Sequence, residues 1–509
     1  MGHFANISYR RATPMMTIGI HARIGRAFCA LLAIAAGHAS AAEPSSIERE
    51  RDAARAAFVA RLDELAHWCE QSGLAEQAVA TRAWRPALDP LTLYVPMADD
   101  SDGHAARESD TPRIKEWRDK FVSLRDAHGK ACFELARQAA ANGHGGLAMA
   151  LVSETLREDP RHAEARRIAG HVSHEGTWRT PFEAQRLKGG QVWHERFGWI
   201  NKDHVSRYEA GERYCNSRWM PAADEARVRS DIDRGWDVFT EHYAVRTNHS
   251  LEEGVRLAAR LERLYDVWRQ VFARFHSTDE IMTRRFEQPS TPRSPTTRMQ
   301  VVYYRDRDEY VAALTRIQPQ IGITSGYYLG AQRKAFFYAD ETRDDANLLH
   351  EATHQLFSES RRAARTLGRD GNFWAIEGVA CYMESMVDGE SCALLGGRQA
   401  PRLANARRRL DERFHVPLAQ LVALGMESLQ RHAQIADLYA EGSGLTFFFM
   451  HARSNAYRDP FIDYLSAIYS GRDRAATLAE LTRMIYASLD AEYAEFLTSS
   501  AMPVATSEP

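Results

Sequence analysis

Apolar residues recur at helical spacing over most of this chain, and the breaks in that rhythm divide it. From Ser46 to Leu93 the pattern is helical, as in Phe58-Val-Ala-Arg-Leu-Asp-Glu-Leu-Ala-His-Trp68. Residues 97–113, rich in Asp, Ser and Gly, read as a linker. A helical pair follows, Phe121 to Asn142 and Leu147 to Glu158, broken by Gly143, Gly145 and Gly146, and Asp159-Pro160 opens another helix. That rhythm resembles tetratricopeptide-type hairpins, a scaffold that can also bind a protein partner. Two Trp-bearing turns, at Trp178 and Trp199, then stand 21 residues apart, each leading into a helix-prone stretch that ends in glycine. Their tryptophans are expected to anchor a small core.

Near Trp236 the pattern changes. Val238 to Arg246 reads as a strand and Leu251 to Phe275 as a long amphipathic helix. A Pro/Ser/Thr-rich excursion, Gln288 to Arg298, precedes a strand Met299 to Tyr304 and a helix Asp308 to Arg316. Gly326 to Tyr338 alternates around a turn like a hairpin. After Ala400 the chain reads as helical to its end. The fold class is therefore α+β: a mainly helical region over 46–175, a Trp-containing connection over 176–235, and a mixed-sheet domain over 236–500.

That domain carries His350-Glu351-Ala352-Thr353-His354. Histidines four residues apart stand one above the other on a helix, where both imidazoles reach one metal ion. Glu351, beside the first, is placed to take a proton from a metal-activated water. The flanking residues predict a helix from Thr342 to Glu359. Thr342 and Asp345 resemble a capping box, Asp344 and Asp345 suit the positive helix end, and Leu349, Ala352 and Leu356 form a buried stripe.

A catalytic zinc takes three protein ligands and keeps one position open. Downstream, Trp374-Ala-Ile-Glu377-Gly-Val-Ala-Cys381-Tyr-Met-Glu384 reads as a helix with its apolar stripe at Ile376, Val379, Ala380 and Met383, which turns Glu377 to the opposite face. The two segments together resemble the gluzincins, zinc peptidases of the thermolysin and peptidase-MA type. Their His-Glu-x-x-His is followed on a second helix by Trp-x-x-Glu-Gly-x-Ala-x-Tyr, matched here by Trp374, Glu377, Gly378, Ala380 and Tyr382. The resemblance also extends to exported bacterial proteins that pair a helical N-terminal region with a peptidase-MA-like domain.

The resemblance implies His350, His354 and Glu377 as Zn2+ ligands and Glu351 as general base. It implies a zincin-like domain in which the last strands line a cleft beside the metal-binding helix, and an edge strand there can hold an extended peptide. The family's aspartate one turn after the ligand glutamate is Cys381 here. The N–H of a histidine ligand then needs another acceptor: Asp344, Asp345, Glu384 or a backbone carbonyl. Cys381 as a fourth, structural ligand is the bolder alternative. For the oxyanion that grows on an attacked carbonyl, the resemblance points to Tyr439, with Tyr382 and His432 as rivals. Arg246, Asn248 and His249 read as structural polar residues.

At the N-terminus, Arg23 and Arg26 precede an apolar run from Ala27 to Gly37 and small residues at Ala39-Ser40-Ala41-Ala42. This reads as a signal peptide over 1–42, with Met15 or Met16 as an alternative start, and implies a periplasmic or secreted protein. No later run is long and apolar enough to span a membrane. Cys29 leaves with the signal, and the five remaining cysteines show no disulfide framework. A net charge of -3 without a basic stripe argues against nucleic acid. The expectation is an exported zinc metallopeptidase acting on peptides or proteins. The alternative is a non-catalytic zinc-binding scaffold or interaction module on the same fold.

Overall fold

The computed structural model describes residues 46–86, 89–98, 110–288, 297–340, 345–389 and 391–500. The signal segment, most of the linker, Thr342 and Asp344 lie outside them. No helix among the described residues is long and apolar enough to cross a membrane.

The chain is α+β. Helices Ser46–Gln71, Ala75–Ala83 and Pro112–Ala141 close over Phe58, Leu62, Trp84, Trp117 and Phe121. The far end of Pro112–Ala141 packs with Gly145–Glu158 and Ala163–Ala169 around Ala136, Leu151 and Ile168. These helices differ widely in length, with 26, 9, 30 and 14 residues in the first four.

The helical reading of Ser46 to Leu93 runs too far. Thr92–Pro96 is a strand, paired antiparallel with Cys392–Gly396, which also pairs with Val387–Asp388. The N-terminal region is therefore stitched to the chain just beyond the Glu377 helix. Buried Arg157 reinforces the junction, donating to the Trp84 carbonyl (2.7 Å) and to Ser391 Oγ (3.3 Å). The Thr, Tyr and Val of these five residues favour a strand, but the partner that completes it lies about 300 positions away.

Residues 172–228 hold three copies of a hairpin-plus-helix unit, where two were expected. The hairpins pair Val172–His174 with Thr177–Arg179, Gln191–His194 with Gly198–Asn201, and Glu212–Cys215 with Arg218–Pro221. Trp178, Trp199 and Trp219 occupy equivalent cross-strand positions. The third copy hides because Asn216 and Ser217, at φ of 50° and 62°, make its turn without glycine. The tryptophans are only partly buried, so they cover the hairpins more than they fill a core.

The expected strand Val238 to Arg246 is instead a hairpin, Trp236–Phe239 with Tyr243–Thr247. It begins a five-stranded mixed sheet. Tyr243–Thr247 runs parallel to Met299–Tyr304, which runs parallel to Lys334–Tyr338, and Gly326–Leu329 closes the edge antiparallel. Helix Leu251–Val271 covers one end, with Val255, Leu261 and Trp268 in a core that continues into the C-terminal helices.

The longest of those, Ile435–Asn455, carries His451 fully inside, where it accepts or donates a 3.0 Å bond with Tyr382 Oη. Burial, reinforced by Arg458, depresses its pKa from 6.5 to about 3. Between those values the unfolded chain binds a proton that the folded chain refuses. Stability from this group is therefore full above pH 6.5 and falls on acidification, by about 1.4 kcal/mol per pH unit. Urea unfolding should lose roughly 2 kcal/mol from His451 between pH 6.5 and 5. His451→Gln should shrink that loss, and an unchanged pH slope would refute the assignment.

Candidate metal centre

Helix Ala346–Glu359 packs its Leu349, Ala352 and Leu356 stripe into the core. Asp345 begins it but forms no side-chain cap; its carboxylate pairs with Arg260 of helix Leu251–Val271. The amide of Gln355 donates to the Gln300 carbonyl (3.1 Å) and fixes the helix to the sheet. His350 and His354 lie one turn apart, rings at 81° and 4.8 Å between centroids.

The second helix, Phe373–Met383, is buried on every side, so it is not the one-sided amphipathic helix its apolar stripe suggested. Its start is set by Asn372, held at φ 59° and bonded to Asp473 and Tyr464. Gly378 permits a very close crossing. A Cβ there would stand 2.4 Å from Thr446 Oγ1 and 2.6 Å from the Gly442 carbonyl on helix Ile435–Asn455. The glycine after Glu377 is thus a packing requirement. Gly378→Ala should cost about 1–3 kcal/mol in urea unfolding by overpacking, and should shift Glu377 enough to lower metal content. Parent-like values in both measurements would show that the crossing can relax.

The two helices bring three donor atoms together. His350 Nε2 and His354 Nε2 are 3.2 Å apart, and Glu377 Oε2 lies 3.4 Å and 3.6 Å from them. Three ligands bound at ~2.0–2.2 Å to a tetrahedral ion stand roughly 3.3–3.6 Å from one another. Three donor atoms this close in a buried site could share one cation. Burial opposes charge on Glu377, yet His354 and His350 hold its carboxyl far below the ordinary range, in the ionised form that a metal requires. These residues fit a zinc ion.

Glu351 is buried on the adjoining side, against the sheet edge. Its Oε2 accepts from the Tyr328 N–H (2.9 Å), and Gly326 leaves room for it, since a Cβ there would come within 3.2 Å of Glu351 Cγ. Burial raises the Glu351 pKa against the pull of His350 and His354, making the carboxylate a better proton acceptor. Tyr439 also reaches the site, with its hydroxyl hydrogen-bonded to Glu377. Burial, with Glu377 beside it, keeps the phenol well above its usual pKa and so protonated.

The rivals to Tyr439 are engaged elsewhere. Tyr382 Oη bonds His451, and exposed His432 caps the Gln434 N–H. Arg246 pairs with Asp237, and Asn248 bridges Glu309 and the Ser230 carbonyl, structural roles as expected. Exposed His249 sits beside Ser250.

Glu384 is the acceptor for His350, 2.9 Å from Nδ1. Cys381 groups with Glu384 around His350 and not with His354 and Glu377. All five cysteines among the described residues are free thiols. Among the described residues one other cluster has metal-like chemistry, His128, Cys132 and Glu154. There Arg55 occupies both Glu154 oxygens at 2.6–3.1 Å, so the group is a buried ion pair with a histidine attached.

The site thus joins a buried three-donor trio, a buried carboxylate of raised basicity and a protonated tyrosine. Compared with known families and curated proteins, the chain matches no family model and no curated sequence.

Proposed function

We propose that this protein is a zinc-dependent peptidase built on a zincin-like domain. The observation that carries the reading is the convergence of His350, His354 and Glu377 beside a Glu351 that is not needed to hold the ion. Zinc in that trio supplies Lewis acidity, lowering the pKa of a water toward about 7 and polarising a carbonyl. Glu351 takes the water's proton on its carboxylate and returns it to the leaving amine. The Tyr328 N–H keeps that carboxylate aimed during both transfers. Tyr439 turns its hydroxyl from Glu377 to donate a hydrogen bond to the oxygen on which charge develops.

On this reading an extended peptide would run beside the antiparallel edge strand Gly326–Leu329, next to Glu351. The apolar segment near the N-terminus is, in the same reading, a signal for export into the periplasm or medium, and the helical region is a scaffold or binds a partner. The test is a mixed peptide library incubated with the purified mature protein, with chelator and with zinc restored. Cleavage should stop with chelator and return with zinc. Full zinc occupancy without any cleavage would hand the site to the alternative, a non-catalytic zinc-binding scaffold.

A further inference from the structure

Two charged residues near the site stand on the wrong ends of their helices. Glu384 is the C-cap of the Glu377 helix, where the dipole disfavours an anion. Arg402 lies in the first turn of helix Pro401–Asp411, which has no acidic residue in that turn, and there the dipole disfavours a cation. The two meet in a bidentate pair, Arg402 Nε to Glu384 Oε2 at 2.7 Å and Nη2 to Oε1 at 2.8 Å. The same Oε1 accepts from His350 Nδ1 at 2.9 Å. Glu384 is largely buried, with 10 % of its side chain exposed.

We propose that Arg402 is a positioning residue for the metal centre, locking Glu384 so that His350 keeps its proton on Nδ1 and turns Nε2 toward His354 and Glu377. A carboxylate on a short helix-end segment has rotamers to spare, and a planar fork gripping both oxygens leaves it one orientation. Fixing the donor nitrogen's partner fixes the tautomer and the ring plane. Glu384, at the end of the Glu377 helix, supplies the carboxylate that an acid at position 381 would supply one turn earlier, where this chain has Cys381, and Arg402 holds it from a separate helix. The inference rests on the metal-site reading, not on catalysis.

The experiment measures zinc affinity by competition with a chromophoric chelator, for the parent, Arg402→Ala, Arg402→Lys, Glu384→Gln and the double variant Arg402→Ala/Glu384→Gln. Arg402→Ala should weaken zinc by about 10–100-fold, and Arg402→Lys, which keeps charge but not the fork, should recover only part. The double variant should be no weaker than Glu384→Gln alone, because both act through one contact. Circular dichroism and urea midpoints identify a variant that has lost its fold, and Arg402→Lys then carries the test.

Unchanged zinc affinity in Arg402→Ala and Arg402→Lys overturns the proposal while leaving the metal site intact. Additive losses in the double variant also overturn it, placing Arg402's effect elsewhere. So does a raised KM with zinc affinity unchanged, which would make Arg402 a substrate contact. A parent protein that binds no zinc overturns both this proposal and the site. One that binds zinc as expected but cleaves nothing leaves this proposal standing and removes only the peptidase reading.

Discussion

Glu351→Gln should retain zinc and lose at least about 10²–10⁴-fold in peptide turnover, the usual worth of a general acid–base group. Glutamine keeps the size of the side chain, and its carbonyl oxygen can still accept from the Tyr328 N–H, so the site's shape survives. What disappears is a carboxylate whose basicity burial has raised. Because Glu351 both receives the water's proton and delivers it to the amine, one substitution removes both transfers. Tyr439→Phe should be milder, on the order of 10²–10³-fold, with the loss in kcat more than in KM, as for one oxyanion donor. It should also disturb zinc slightly, since that hydroxyl bonds the Glu377 carboxylate. Elemental analysis alongside single-turnover kinetics separates these effects. A Glu351→Gln variant as fast as the parent would remove Glu351 as the base and the peptidase mechanism with it.

The trio itself was legible because its chemistry is local to two short segments. His350 and His354 need only helical spacing to share a face, and Glu377 needs only a second helix. The sequence also contained the acceptor, Glu384, among four choices. It could not select it, because the selection is made by Arg402 on another helix and by Arg260, which withdraws Asp345. Long-range pairing accounts for the fold errors too. Strand Thr92–Pro96 exists because Cys392–Gly396 receives it, and Val238 to Arg246 bends into a hairpin at Thr240, whose backbone closes onto Tyr243. By contrast, Met299–Tyr304 and the Gly326 to Tyr338 hairpin formed where the sequence placed them, with apolar residues packed into a core on each face of the sheet. The third Trp unit was readable in principle from Trp219, 20 residues after Trp199, but its turn lacks the glycine that marked the other two.

Burial sets the scale of the remaining prediction. His350, His354 and the ionised Glu377 face each other within 3.2–3.6 Å at the meeting of two helices. An ion bound there stabilises the folded chain alone, because the unfolded chain scatters the three donors. Zinc at 100 times its Kd should add about 2.7 kcal/mol to folding stability by mass action. The parent should hold about one zinc per chain, and chelation should lower its Tm. His354→Ala leaves two protein ligands, too few to hold the ion well, so zinc should fall to background and the chelator should no longer move Tm. Glu377→Gln should weaken zinc less completely, since the amide oxygen still reaches the position but brings no charge. If His354→Ala keeps its zinc and its chelator-sensitive Tm, the ion sits elsewhere, and His350, His354 and Glu377 are not the site.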